Sequence, residues 1–264
     1  MFGSGLGERG AVATLPSACD ICDTRASAVL CGGEPRAVTA FARVQHQHRY
    51  LAKQTLYHEG TPALGLYVVC QGRIKVGRRN GSGRELILRL VDPGGVLGEE
   101  ALLEGNRYVG TARALEDSRV AFVSRQDLLR LLATHPGMAM HLLAYMCQVL
   151  VSTQITLTSL ALADARSRMA GLLLELGRRY GQPATEGTAL SLSVSRGELA
   201  AMVGLTPETA MRLLSEFRDE GIVRTDRRQV ILIHPERLAA LSDGVEEAPV
   251  PWNEPPPSRP RIPS

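Results

Sequence analysis

The sequence predicts an α+β chain with an N-terminal antiparallel β barrel or double sheet, a long helix and a C-terminal winged helix-turn-helix. Three observations carry this. Short β-rich segments broken by glycine recur between Arg49 and Ser124. A charge-free stretch between Arg130 and Asp164 keeps a single helical seam. Two short capped helices between Ser195 and Gly221 are followed by two β-rich runs.

The 264 residues allow two domains with short terminal segments, and 44% hydrophobic content is that of a chain with a core. Lys53 and Lys75 are the only lysines, so the net charge of +3 is carried by arginine. The first residues lack a basic start followed by an apolar run, so no secretion signal is expected. A cytoplasmic location follows as the expectation, with the cysteines reduced.

Residues 1–35 are rich in Gly, Ala and Ser and read as an irregular arm carrying Cys19, Cys22 and Cys31. Residues 36–135 read as the antiparallel barrel or double sheet. Its segments include Gly65–Cys70, Gly72–Val76, Glu85–Val91 and Arg119–Val123, separated by turn sequences at 79–83 and 92–95. His46 and His48 form a His-x-His without partner cysteines, read as a solvated loop. A short helix from Arg125 stops at His135–Pro136.

Residues 136–163 read as one long helix. Leu143, Met146, Leu150, Thr153, Leu157 and Leu160 recur at spacings of three and four, a seam by which two helices pack together. A homodimer is the expectation. Gln148, Ser152, Thr153, Gln154, Thr156, Thr158 and Ser159 interrupt the stretch too often for a membrane span.

Residues 164–242 hold the DNA-reading part. Ser195 with Glu198 makes a capping box. Leu199, Met202 and Val203 face inward, Gly204 ends the helix, and Leu205 plugs the turn. Thr206 caps the second helix, Pro207 takes its first position, and Glu208 adds an acid to its first turn. Ala210, Leu213, Leu214 and Phe217 point inward, leaving Glu208, Thr209, Met211, Arg212 and Ser215 outside. Ile222–Val223 and 230–233 flank Arg224, Asp226, Arg227 and Arg228 as a hairpin wing. Such a unit places its second helix in the major groove of double-stranded DNA. Residues 192–234 hold six arginines and six acids, so phosphate contacts must come from local arginines such as Arg196 and from helix N-termini such as that at Ser195. Residues 243–264 form a Pro-rich tail, expected to be disordered. No catalytic constellation is present, and an enzyme is not expected.

The run GLTPETAMRLLSEFRDEGIV (204–223) resembles the recognition element of the CRP/FNR family of bacterial transcription regulators, in its FNR-like branch. Further matches are Tyr57–Gly60, Tyr67–Gly72, Leu97–Glu99, Asp164 and Arg168, so the resemblance spans roughly 36–242. It implies a cyclic-nucleotide-binding-type β-roll, a dimerisation helix and a DNA-binding domain, with RNA polymerase as a further partner. In that family the Glu and Arg read base edges; carried over, these are Glu208 and Arg212. A glutamate accepts from cytosine N4, and an arginine donates to guanine O6 and N7. Met211 replaces a serine common in FNR-like members and suits a thymine methyl. Pro207 stands where CRP has an arginine, which implies an FNR-like inverted repeat of TTGAT type. Thr206, Thr209, Ser195 and Arg196 complete the expected DNA-facing set.

Three readings of the signal stand. Cys19-x-x-Cys22 and Cys31 resemble the N-terminal cysteine cluster of oxygen sensors that hold a 4Fe–4S cluster. The family's fourth cysteine position is Ala121 here, so Cys70, Cys147 or a carboxylate such as Asp20 or Asp23 must complete the set. Gln154 stands where those sensors carry an acid on the dimer helix, which implies a dimer without that electrostatic gate. The second reading is a cyclic nucleotide. Gly98 and Glu99 match the family's ribose pair and Thr153 the base-facing position, but Tyr108 and Val109 replace the Arg–Ser phosphate pair. The third is a thiol switch or a cluster-free, FixK-like regulator. A dithiol redox enzyme is a separate class, disfavoured because the arm lacks a strand–helix context.

Overall fold

The computed structural model describes residues 28–242, except 33, 104, 193 and 226–228. Cys19, Cys22, Asp226, Arg227, Arg228 and the Pro-rich tail lie outside the described residues.

The roll is opened by helix α1 (Pro35–Val44), whose Ala37, Val38 and Phe41 are buried. Eight strands follow: β1 (His46–Tyr50), β2 (Thr55–Tyr57), β3 (Gly65–Gln71), β4 (Ile74–Arg79), β5 (Glu85–Val91), β6 (Val96–Leu97), β7 (Thr111–Ala114) and β8 (Ser118–Ser124). They form two four-stranded sheets, β1-β8-β3-β6 and β2-β7-β4-β5, antiparallel throughout. One correction concerns His46 and His48. They lie on β1, not in a loop, because their backbone pairs with β8 opposite Phe122 and Val120. An edge strand keeps its place through such pairing even without apolar side chains.

The last residues assigned to the arm are not peripheral. Ala28, Val29 and Leu30 are buried, and Val29 and Leu30 join the core formed by Phe41, Leu66, Val68, Leu128 and Tyr145.

Helix α2 (Arg125–Thr134) starts at a Ser124 cap. The 27-residue α3 (Pro136–Leu162) follows from Pro136 at its first position. By length and mean hydropathy, 1.3 over its most apolar window, α3 is apolar enough to cross a bilayer. Its first turns, however, pack into the roll through Met138, Leu142 and Tyr145, and the Tyr145 hydroxyl donates to Val96 O at 3.0 Å.

The C-terminal part contains α4 (Ala165–Tyr180), β9 (Gly181–Pro183), β10 (Thr188–Leu190), α5 (Arg196–Met202), α6 (Pro207–Asp219), β11 (Val223–Thr225), β12 (Val230–Leu232) and α7 (Pro235–Leu241). The expected two-stranded wing is the edge of a four-stranded sheet ordered β11-β12-β10-β9. The expected loop after Tyr180 supplies β9, its outer strand. Met169, Leu173, Leu199, Leu214 and Phe217 form the core beneath it, and Ile87 and Leu90 of the roll enter the same cluster.

Candidate nucleic-acid interface and effector site

The reading unit is built by caps. Ser195 Oγ accepts from Glu198 N at 3.2 Å, while Glu198 Oε2 accepts from Ser195 N at 2.8 Å. Val203 closes α5, and Gly204 turns the chain at φ 66°, in the left-handed region. Thr206 Oγ1 accepts from Thr209 N at 3.2 Å, and Pro207 follows as the first residue of α6. Leu199, Val203, Leu205, Ala210, Leu213, Leu214 and Phe217 are buried, as the spacing predicts. Thr206, Glu208, Met211 and Arg212 are exposed together on the outer side of α6, while Thr209 is half-buried.

The chemistry of that face suits base edges. The Glu208 backbone N–H and the Thr206 hydroxyl hold the Glu208 carboxyl below its usual range, so it presents acceptors only. Met211 is 46% exposed, an apolar side chain beside two charged ones. Arg212 donates through Nη1 to Glu216 Oε1 at 2.7 Å. Arg224 of β11 pairs with Glu186 at the wing.

The unit is held in place by contacts between segments distant in the chain, most of them reaching across to the roll. Lys75 is 5% exposed and pairs with Glu85 at 3.3 Å and with Glu198 Oε1 at 3.0 Å. One carboxylate thus caps α5 and anchors it to β4. Arg84 donates to Gly204 O, and Arg168 Nε donates to Val203 O at 3.1 Å, so the turn is gripped from two sides. Asp92 accepts from Arg73 Nε at 3.1 Å, Arg179 Nη2 at 2.6 Å and the Tyr180 hydroxyl at 2.9 Å. The guanidinium of Arg73 lies over the Tyr180 ring at 4.8 Å. A cleft of about 1200 Å³ remains between the β4–β5 hairpin and the start of α6; Arg79, Arg84, Arg196, Thr206 and Glu208 line it.

The seam of α3 is largely uncovered in the single chain. Leu143, Leu150 and Leu157 are 53%, 58% and 66% exposed, and Met146 and Thr153 are also exposed. Leu160 differs. It is half-buried, and a Cβ on Gly204 would lie 3.1 Å from its Cδ2, so it packs on the helix-turn-helix of its own chain.

Inside the roll, Gly98 adopts φ 81°, and a Cβ there would meet Tyr108 and Gly65 O at 3.0 and 3.1 Å. Glycine is therefore demanded by backbone and space alike. Both Glu99 oxygens accept from Arg89 Nη2 at 2.7 Å. Tyr108 is buried, stacks on Tyr57 with centroids 3.8 Å apart, and donates to Gly65 O at 2.8 Å. Arg89 Nη1 and Glu100 Oε2 are buried without a hydrogen-bond partner. Burial first, and then the Glu99 charge, raise the Glu100 carboxyl above its usual range. Arg89 was hidden in the apolar run ELILRLV, where one charged residue at an inward position was the available signal.

Cys31, half-buried, lies on a turn tied to the roll, where Val29 N donates to Gly94 O at 3.0 Å and Gly94 N to Val69 O at 2.8 Å. Cys70 follows Val69 on β3, and both cysteines pack against the same core cluster. Cys147 is exposed on α3, on a face that the roll leaves open. Among the described residues no three metal-ligating side chains converge.

Comparison with known proteins gives consistent results. Residues 47–135 match the cyclic nucleotide-binding domain family and 167–241 the Crp-like helix-turn-helix domain family. A CRP-like cAMP-activated global transcriptional regulator of Mycobacterium tuberculosis is 30% identical over 210 residues, 79% of this chain and 93% of that protein. FixK2 from Bradyrhizobium japonicum superimposes with a TM-score of 0.65 at 28% identity, covering 75% of this chain and 97% of that one. The c-di-GMP responsive global regulator CLP of Xanthomonas campestris gives a TM-score of 0.70 at 26% identity, covering 75% and 99%.

Proposed function

The chain belongs to the CRP/FNR family of transcription regulators, and from that premise we propose that it binds an FNR-like inverted repeat as a homodimer and takes its signal from redox state through the N-terminal cysteines. The observation that carries the DNA part is the capped α6, with Glu208, Met211 and Arg212 exposed side by side. Glu208 accepts from cytosine N4, Arg212 donates to guanine, and Met211 packs on a thymine methyl. Thr206, Thr209, Ser195 and Arg196 position the helix against phosphates. Leu143 to Leu157 of α3 pair two copies, so two readers face successive major grooves. RNA polymerase is the further partner, in the cytoplasm. Selection from a random duplex library tests this reading: it predicts TTGA-like half-sites in inverted repeat, and unselective recovery would end it.

For the signal, the donor set fits a 4Fe–4S cluster in part. Cys31 and Cys70 both pack against one core cluster while Cys147 is exposed, which favours Cys70 over Cys147 as the fourth ligand to join Cys19, Cys22 and Cys31. Bound, the cluster would supply oxygen-labile redox chemistry. Anaerobic reconstitution followed by iron and sulfide analysis tests it; colourless, iron-free protein leaves a thiol switch or a FixK-like regulator. A cyclic nucleotide is the second reading, favoured by the relatives' effector and by Gly98–Glu99. Against it stand Tyr108 in place of the phosphate arginine and Arg89 already engaging Glu99. Ligand-induced thermal stabilisation at saturating cAMP or cGMP decides between them.

A further inference from the structure

Arg212 ends a chain of alternating charges that crosses the DNA-binding domain. Its Nη1 donates to Glu216 Oε1 at 2.7 Å, one turn along α6. The other Glu216 oxygen accepts from Arg166 Nη1, on α4, at 3.2 Å. Arg166 Nη2 donates to both oxygens of Glu220 at 2.6 and 2.7 Å. The Arg166 guanidinium lies over the ring of Phe217, a fully buried core residue, at 4.9 Å. Glu220 in turn faces Arg237 of α7, whose Nη1 donates to the Glu220 carbonyl at 2.9 Å.

An isolated exposed pair one turn apart on a helix fixes a long side chain poorly, because it loses rotamer entropy and gains little in water. Glu216 is not isolated. A second cation from another helix holds it, and that cation rests on a buried ring. The anchor therefore extends from the core to the tip of Arg212. Arg166 also balances the Glu216 charge, so the carboxylate does not cancel the attraction of Arg212 for DNA.

We propose that Glu216 is a positioning residue for base reading, with Arg166 as its anchor. This rests on Arg212 contacting guanine. The contact with Glu216 uses Nη1 alone, which leaves Nη2 and Nε of the guanidinium fork to meet O6 and N7. Holding the fork in one plane before DNA arrives favours the bidentate geometry over looser contacts with other bases.

The test uses the full-length dimer with three duplexes: the selected repeat, the same repeat with the contacted guanine replaced in both half-sites, and a random sequence. Glu216→Ala should reduce the preference for guanine about 5–20-fold. Its affinity for random duplex should stay level or rise, since an acid beside the phosphates is lost. Arg166→Met, which keeps an apolar stem over Phe217, should reduce the preference in the same direction. Glu216→Gln, which retains an acceptor oxygen, should recover part of it. Melting temperatures of Glu216→Ala and wild type should lie within a few degrees, because Ala is a strong helix former and Arg166 keeps both bonds to Glu220. An unchanged guanine preference in Glu216→Ala, or an equal loss on all three duplexes, overturns the proposal. Arg212→Ala separates the two levels. If it too keeps the guanine preference, base reading by Arg212 itself is wrong; if it loses the preference while Glu216→Ala keeps it, only the positioning role falls.

Discussion

Replacing Asp92 with alanine should loosen the DNA-binding domain from the roll. The carboxylate is 18% exposed and accepts from three donors, two of them arginines and one the Tyr180 hydroxyl. Its loss leaves Arg73 with Glu116 at 2.9 Å and Arg179 with Glu175 at 3.0 Å, so neither cation is stranded entirely. Tyr180 keeps no acceptor of comparable strength and remains buried. Leaving the buried Tyr180 donor without its acceptor, with both arginines still paired, costs about 1–3 kcal/mol. For a unit of this size that corresponds to a fall of about 2–12 °C in melting temperature. Differential scanning calorimetry is the assay, because two coupled domains need not unfold as one and a second transition should emerge. Asp219→Ala is the control: its pair with Arg218 is exposed on both sides, and its removal should cost under about 1 kcal/mol. Equal, small shifts for both variants would refute the view that Asp92 couples the domains.

Other outcomes follow from the same contacts. Arg212→Ala should lose about 1–3 kcal/mol per specific contact with little change on random duplex, measured by titration at fixed salt. Leu150→Glu places a charge in the exposed seam of α3 and should shift the chain to monomer in sedimentation velocity. Glu198 supplies a pH dependence. Burial pushes its carboxyl up, but the Ser195 N–H and hydroxyl and Lys75 together outweigh this and leave it below the usual value. Its contribution is therefore complete above the ordinary glutamate range, about pH 4.3, and is lost as pH falls through that range and the lowered folded value. The stability gap between wild type and Glu198→Gln should be widest near neutrality and shrink in acid, as read by urea unfolding across pH.

Local chemistry was legible in the sequence. The caps at Ser195 and Thr206, the turn at Gly204 and the inward Leu214 and Phe217 depend on neighbours within a few residues, and they fall where the spacing put them. The strands of the roll were legible because glycine-rich turns punctuate them. Contacts between distant segments were not. Asp92 read as a turn residue, yet its partner Tyr180 lies 88 positions away. Lys75 and Glu198 are drawn together only once the roll and α5 pack. Helix α1 offered Pro35 and inward spacing at Ala37, Val38 and Phe41, but the run is short and follows a stretch of small residues. Strand β1 carried no alternation, since its place is set by the backbone of β8. The side-chain partners of Glu99 were equally invisible: Gly98–Glu99 could be matched by motif, but the Arg89 guanidinium that engages it comes from β5.

In the proposed complex two chains read one inverted repeat through Glu208 and Arg212. Stoichiometric titration of the protein on a symmetric TTGA-type repeat, followed by analytical ultracentrifugation of the complex, tests it most directly. Two chains per duplex are expected, with a loss of about 100-fold or more in affinity when one half-site is scrambled. One chain per duplex, or unchanged affinity for the half-scrambled site, would contradict it.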